Sequence, residues 1–365
     1  MLQVKDLENG EKYLLYVVDA HHHIGREESV VNTPDGTYRF YERVGQYILK
    51  YFKDKSQSEL RKDYRLLPER IIPDTFSANL FSLHKTWSLN NIGWLVDKTI
   101  VFPLNDIYAR NTKPQFKKSN NIIASITTNA PNSVRLMGFA RLNPKDGHLS
   151  IQELHRSFFT LGLRGLKLHP ISQMFVDEIN TEPTLSLAKE AVRLGLPIIF
   201  DARFYSTAER IKDLAEKIVT ELKLDLNKYP LQIKFIIAHC ARSFSDRKFF
   251  ENILRAPYLF GETSTLSGDD IPVFYENAYK YLNTDNPLMS WSDKIILGSD
   301  YPLMKEIQLI EHILYLFSSS FFDATHATIC DVQKILATNI LKLLKPVSYT
   351  HLRAHETRHD LVCRL

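Results

Sequence analysis

Near the start of the chain stands the stretch Tyr16-Val17-Val18-Asp19-Ala20-His21-His22-His23. An apolar run that ends in polar residues is typical of a buried strand whose carboxyl end opens onto a site. The same pattern recurs along the chain, and segments with helical periodicity lie between most of its copies. Eight strands are predicted in this way: Tyr16–Asp19, Thr99–Leu104, Arg135–Arg141, Gly165–Leu168, Pro197–Asp201, Lys234–Ala238, Leu259–Thr263 and Lys294–Gly298.

The alternation of strands and helices decides the fold class. Helical patterns such as Leu185–Leu194, Ala208–Leu222 and Lys305–Phe317 are long enough to form crossovers between parallel strands. Eight such units favour an α/β architecture closed into a (β/α)8 TIM barrel over an open sheet. We therefore predict one barrel domain over residues 1–346, with residues 27–94 as an insertion over the barrel mouth after the first strand.

The composition is that of an ordinary globular protein, since 44% of the 365 residues are hydrophobic and 24% are charged. The net charge of +4 includes no long run of Lys or Arg, so nucleic acid is not predicted as a partner. Three scattered cysteines, Cys240, Cys330 and Cys363, argue against a disulfide framework and a thiolate zinc site. Residues 1–11 are polar, and no apolar run reaches about 18 residues. We expect a cytoplasmic protein that acts on a small molecule and has no membrane partner.

The last residues, Val347–Leu365, continue no helix or strand period. They resemble the conceptual translation of a sequencing-library adapter, and we predict a non-native tail. His351, His355 and His359 have helical spacing within it, which would suggest a metal site in a natural segment. A fusion scar of this kind is excluded from fold reasoning.

Polar residues stand at the ends of the predicted strands, where barrels build their active sites. They are Asp19, His21, His23, Lys167, His169, Asp201, His239 and Asp300. All except the lysine are of types that coordinate divalent cations.

In the first strand, His21 and His23 share one face of the extended chain, and His22 points away. Two imidazoles on one face form a pair of zinc ligands, with packing as the alternative. Asp19 has the same parity and either orients a ligand or approaches the metal itself.

The middle strands leave several roles open. Lys167 is a carboxylated bridging ligand, a cation for an anionic substrate or a structural ion-pair partner. His169 shares its face and is expected to line the site, with direct ligation of the metal as the alternative. Asp201 ends an apolar strand, and a buried carboxylate there needs either the metal or a neighbour such as Arg203 as its partner.

The last two candidates are given catalytic roles. His239 is either a satisfied core residue or the group that polarises a substrate carbonyl. Asp300 follows a strand at a tight turn, where one oxygen can bind the metal while the other takes a proton from metal-bound water. The alternative for Asp300 is a helix N-cap.

Together these segments resemble the amidohydrolase superfamily, specifically its amidohydrolase-2 branch, which includes the aminocarboxymuconate-semialdehyde decarboxylase-like enzymes. The resemblance rests on six segments: Asp19–Gly25, Gly162–Pro170, Leu194–Asp201, Phe235–Cys240, Leu297–Pro302 and Ile335–Leu344. It implies that His21 and His23 are metal ligands, that His239 is the histidine of the sixth strand, and that Asp300 is the ligand and proton shuttle of the eighth. The sequence departs from the branch at Asp201, where a histidine is usual.

The implied cofactor is one divalent metal ion, with zinc preferred and manganese or iron as alternatives. A binuclear site bridged by Lys167 is weakened by the departure at Asp201. The first functional hypothesis is hydrolysis of a C–N or C–O bond in a small substrate, which Arg164, Lys167 and Arg203 suggest is anionic. A non-oxidative decarboxylase on the same fold and a non-catalytic barrel with a degraded metal site are the alternatives. A homodimer is expected by analogy with the family alone.

Overall fold

The computed structural model describes residues 1–27, 29–72, 95–104, 116–226, 231–283 and 290–344. The predicted tail, Val347–Leu365, lies outside the described residues. Residues 28 and 73–94 of the predicted insertion also lie outside them. The placement of the whole insertion over the barrel mouth therefore stays a prediction.

The described strands are β1 Leu2–Asp6, β2 Lys12–Leu15, β3 Val18–Glu27, β4 Val30–Asn32, β5 Leu66–Ile71, β6 Lys98–Pro103, β7 Leu136–Gly138, β8 Ala140–Arg141, β9 Leu166–Leu168, β10 Ile198–Asp201, β11 Phe235–Ala238, β12 Leu259–Glu262 and β13 Ile295–Ile296. The described α-helices are α1 Pro34–Lys53, α2 Gln57–Asp63, α3 Phe116–Thr128, α4 His148–His155, α5 Thr184–Arg193, α6 Tyr205–Leu222, α7 Asp270–Leu282, α8 Glu306–Phe317, α9 Ser319–Thr325, α10 Ile329–Gln333 and α11 Asn339–Leu343.

The barrel is formed by β3, β6, β7 with β8, and β9 to β13, which match the predicted strands. Strands β8 to β13 pair in chain order in one sheet, and β3, β6 and β7 pair in another. All of these pairs are parallel. The two sheets are joined at Phe139, whose N–H donates to Val101 O at 2.9 Å. At the other join, Ala20 N–H donates to Leu297 O at 3.0 Å and His23 N–H to Tyr301 O at 2.8 Å. The predicted (β/α)8 TIM barrel is confirmed.

Alternation along each strand divides the core into two layers. Ile199 of β10 packs inside the barrel in the cluster that contains Ile236 and Phe260. Its neighbours Ile198 and Phe200 belong to the larger cluster that includes the surrounding helices. Burial of each such side chain contributes about 1.5–3 kcal/mol, so this alternation holds each strand end in place.

Two features precede or interrupt the barrel. Strands β1, β2 and β5 form an antiparallel sheet in the order β2-β1-β5, which the sequence analysis did not predict. Helix α1 begins at Pro34 after an N-cap in which the Thr33 hydroxyl accepts from Gly36 N–H. Among the described residues, none of the helices is both long and apolar enough to cross a membrane.

Candidate metal centre

The histidines predicted as ligands lie within β3 itself, because His22 and His23 pair with Val101 and Phe102 of β6. His21 and His23 are buried, and their ring centres are 5.3 Å apart. His22 points elsewhere, since its Nε2 lies 2.9 Å from the Thr37 hydroxyl on α1. The alternation predicted for these three residues is therefore present.

Each of the two site histidines has an acceptor at Nδ1. His21 Nδ1 lies 2.7 Å from Glu262 Oε2, and His23 Nδ1 lies 3.4 Å from Pro103 O. Burial lowers the pKa of both imidazoles, which favours neutral rings. A neutral ring that donates from Nδ1 to such an acceptor has its lone pair on Nε2, the arrangement in which a histidine binds a metal ion.

Both Nε2 atoms face the carboxylate of Asp300. Its Oδ1 lies 3.3 Å from His21 Nε2 and 3.1 Å from His23 Nε2. Burial raises the pKa of Asp300, but the short contact with His23 and the nearby His239, His23 and Lys167 bring it below its usual range. Three atoms with lone pairs thus meet at one point, an arrangement that a cation stabilises.

The spacing of these atoms fits a divalent ion. Ligands held about 2.0–2.1 Å from a tetrahedral zinc ion are themselves about 3.3 Å apart. The separations of 3.1 and 3.3 Å around Asp300 Oδ1 match that value. Two groups of three described side chains bring their donor atoms within 4.8 Å of one another, and His21, His23 and Asp300 form one of them.

Asp19 holds the two strand ends of the site together. Its Oδ1 accepts the backbone N–H groups of His21 and Ser299, both at 3.0 Å. Its Oδ2 accepts the Tyr41 hydroxyl at 2.7 Å. Asp300, one residue beyond Ser299, has a left-handed backbone with φ of 53° and donates its N–H to His21 O at 2.7 Å. Asp19 therefore positions the ligands through their backbone.

Glu262, at the end of β12, is a site residue that the sequence analysis missed. It is fully buried, and its Oε2 accepts from the Ser264 hydroxyl at 2.9 Å as well as from His21. Burial raises its pKa to about 7. The available signal was a glutamate closing the apolar strand predicted at Leu259–Thr263. A carboxylate behind a ligand histidine fixes the orientation of its ring.

The second group of converging donors consists of His21, His239 and Glu262. Within this group Ser264 bridges the side chains, because its hydroxyl oxygen lies 2.8 Å from His239 Nδ1 and 2.9 Å from Glu262 Oε2. Hydrogen bonds therefore connect these donors. This second group orients the His21 ring through Nδ1. The donor atoms available to a metal ion are those that meet at His21 Nε2.

His239 begins an unusual turn. Residues His239, Cys240, Ala241 and Arg242 have φ values of 58°, 45°, 51° and 50°. Side chains with a β-carbon pay about 1–2 kcal/mol per residue in this conformation, and such strain concentrates at functional sites. The turn places the His239 ring centre 4.9 Å from that of His21.

Asp201 lies in neither group of converging donors. Its Oδ2 contacts His239 Nε2 at 3.0 Å and His169 Nε2 at 3.2 Å, and its Oδ1 lies 3.4 Å from Arg203 Nε. Burial raises the pKa of Asp201, but His169, His239 and Lys167 lower it well below its usual range. Of the two partners that the sequence suggested for Asp201, a metal ion and Arg203, the contact with Arg203 is present.

Of the basic residues predicted near the site, Lys167 lies at the metal centre and Arg164 does not. Lys167 Nζ lies 3.3 Å from His21 Nε2, and burial lowers its pKa to about 8. Arg164 precedes β9 and donates its backbone N–H to Gly138 O, so it lies at the amino end of the strand, away from the metal centre. Arg141, which the sequence analysis did not single out, is fully buried at the carboxyl end of β8 and is the register partner of Lys167.

Comparison with known proteins supports the fold. No protein-family model matches the sequence, and no curated protein matches it. A Staphylococcus aureus protein solved as a candidate amidohydrolase has a TM-score of 0.51 and 16% identity, over 90% of this chain and 99% of that one. The 2,6-dihydroxybenzoate decarboxylase from Rhizobium has a TM-score of 0.49 and 15% identity, over 90% and 98% of the two chains. A 5-carboxyvanillate decarboxylase from Sphingomonas paucimobilis has a TM-score of 0.48 and 12% identity, over 90% and 99%. The first likeness shows that this chain shares the fold of that protein.

Proposed function

We propose that this protein is a metal-dependent hydrolase of the amidohydrolase type. The observation that carries the proposal is the convergence of His21 Nε2, His23 Nε2 and Asp300 Oδ1 on one point, with each Nδ1 of the two histidines facing a hydrogen-bond acceptor. Nitrogen and carboxylate donors at this spacing suit zinc, with manganese or iron as alternatives. A divalent ion bound there would supply Lewis-acid chemistry, which activates water or a substrate oxygen.

The side chains around this point have separate tasks. Asp300 turns Oδ1 towards the histidines, so its Oδ2 is the oxygen that accepts the proton released in hydrolysis and returns it to the leaving group. His239 polarises the substrate carbonyl, and Lys167 stabilises negative charge on the substrate. Burial strengthens both interactions, because charges in a dry site are poorly screened. The substrate is a small molecule with an amide, ester or lactone bond.

Metal analysis followed by an activity screen tests this proposal. The purified full-length chain is analysed for bound metal, stripped with a chelator and reloaded with zinc, manganese or iron. The stripped and reloaded forms are then assayed on amides, esters, lactones and carboxylated aromatic acids. We expect hydrolysis that disappears with the metal and returns on reloading, and that Asp300→Asn abolishes.

Other outcomes assign other functions. Release of carbon dioxide from an aromatic acid, without hydrolysis of any amide, ester or lactone, would identify a decarboxylase. A chain that binds no metal and loses no stability with chelator would be a non-catalytic barrel. The cytoplasmic location and the homodimer remain predictions from the sequence.

A further inference from the structure

The carboxylate of Asp201 is the centre of a second cluster beside the metal centre. One of its oxygens, Oδ2, meets His239 Nε2 at 3.0 Å and His169 Nε2 at 3.2 Å. All three side chains are at least nine-tenths buried. Arg203 reaches the other oxygen from the more exposed side, at 3.4 Å.

The hydrogen bonds of His169 assign its proton. Its Nδ1 accepts the backbone N–H of Ser172 at 3.2 Å, so this nitrogen carries no hydrogen. The proton of the neutral ring is therefore on Nε2, which donates to Asp201 Oδ2. In this tautomer the His169 ring directs an N–H group, and not a lone pair, towards Asp201.

The His239 ring lies between two polar neighbours. Its Nδ1 lies 2.8 Å from the hydroxyl oxygen of Ser264. Its Nε2 lies 3.0 Å from Asp201 Oδ2, and a carboxylate oxygen only accepts, so His239 is the donor in this contact. Asp201 Oδ2 is thereby shared by two imidazoles.

We infer that Asp201 is a positioning residue that accepts hydrogen bonds from His169 and His239, and that it is not a ligand of the metal centre. Its Oδ2 is shared by two imidazoles, its Oδ1 faces the Arg203 guanidinium, and Asp201 belongs to neither group of side chains whose donor atoms converge. The inference rests on the proposed function in one respect, since it leaves that metal with three protein ligands, His21, His23 and Asp300. Asp201 then fixes the orientation of the His239 ring for the reaction.

The first test compares metal affinities in graded variants of the full-length chain, with zinc as the titrant. Asp201→Asn should bind zinc within about threefold of the unchanged protein, because Asp201 touches none of the three ligands. Glu262→Gln alters the partner of a ligand histidine and should weaken binding about 10- to 100-fold. Asp300→Asn removes a ligand and should weaken it further. Zinc binding by Asp201→Asn as weak as that of Asp300→Asn would overturn the inference.

The second test reads the histidine protons directly by nitrogen-15 NMR of the side chains in metal-free protein. Asp201→Asn should shift the ring nitrogens of His169 and His239 and leave those of His21 and His23 in place. Asp201→Glu keeps the carboxylate and should restore part of the original spectrum. Asp97→Asn is the matched control, because Asp97 is a buried carboxylate bonded to the Met1 amino group and to Val17 N–H, away from this cluster.

The two tests separate failure of the inference from failure of the proposed function. If the unchanged protein binds no metal, the proposed function fails, and the NMR comparison still decides the role of Asp201. If Asp201→Asn leaves the signals of His169 and His239 unchanged, the inference is wrong even in a protein that binds zinc and hydrolyses a substrate.

Discussion

Replacing Gly298 with alanine should disturb the metal centre, although Gly298 makes no bond to a ligand. A β-carbon added at Gly298 would lie 2.0 Å from Glu262 Oε1, 2.7 Å from Glu262 Cδ and 2.8 Å from His21 Cβ. The Glu262 side chain would have to leave its place. It would then lose its hydrogen bonds with His21 Nδ1 at 2.7 Å and with the Ser264 hydroxyl at 2.9 Å.

The expected loss of stability is large. Forcing an extra carbon into a packed site costs about 1–3 kcal/mol. Each hydrogen bond to the buried carboxylate is worth about 1.5–3 kcal/mol, of which the displaced side chain keeps a part. A total of about 3–5 kcal/mol is a substantial share of the roughly 5–15 kcal/mol by which a folded domain is stable. The His21 ring would also lose its orienting partner, so zinc affinity should fall about 10- to 100-fold.

Urea denaturation and zinc titration measure the two effects. Gly261→Ala is the matched control, because its β-carbon would crowd Cys240 Sγ at 2.9 Å and two Leu254 methyl groups at 3.3 Å, none of which belongs to a proposed ligand. This control should lose stability without losing zinc affinity. Combining Gly298→Ala with Glu262→Asp, which shortens the side chain, should recover part of the stability. A Gly298→Ala protein that keeps its stability to within 1 kcal/mol and its zinc affinity would refute the reasoning.

Three further measurements test other parts of the molecule. Arg242→Gly should stabilise the protein by about 0.5–1 kcal/mol in urea denaturation, because the left-handed turn costs a residue with a β-carbon about 1–2 kcal/mol and the flexibility of glycine cancels part of the gain. Arg242→Ala keeps the β-carbon and should gain nothing, so equal effects of the two changes would contradict this. Burial lowers the pKa of His312 to about 3, so between about pH 6.5 and pH 3 the unfolded chain binds one more proton at this residue and each unit of acidification should cost about 1.4 kcal/mol. His312→Gln should reduce that slope by the same amount. An unchanged slope would show that His312 is not the source of the pH dependence. Zinc at one hundred times its dissociation constant should raise the free energy of unfolding by about 2.7 kcal/mol, and Asp300→Asn should abolish the gain.

Much of the barrel was predictable because its strands are short apolar runs at regular intervals. Predicted and observed strands agree to within a few residues, as at Pro197–Asp201 and Ile198–Asp201, except that the first strand was predicted to end at Asp19 and continues to Glu27. The β1, β2 and β5 sheet was missed because it depends on the pairing of Leu2 with Ile71, far along the chain. No local periodicity reports such a contact.

The candidate site was predicted in part. His21, His23 and Asp300 were singled out as donors at strand ends, and the structure brings their donor atoms together. Asp19 was expected to be near the metal or to orient a ligand, and its contacts to backbone N–H groups give it an orienting position. Glu262 was passed over because a single glutamate at the end of an apolar strand has no partner in its local sequence.

The sequence by itself determined which residue types stand at the ends of which strands, because alternation and apolar runs are local properties of the chain. The tertiary structure alone decided which atoms of those residues meet. His21 and Glu262 are separated by 241 positions, and the orientation of the His21 ring depends on their contact. Asp201 ends next to two imidazoles because β10 lies between β9 and β11, the strands that precede His169 and His239. Whether a carboxylate meets a metal ion or a hydrogen-bond donor depends on angles and distances of a few tenths of an ångström, which the packing of neighbouring strands sets.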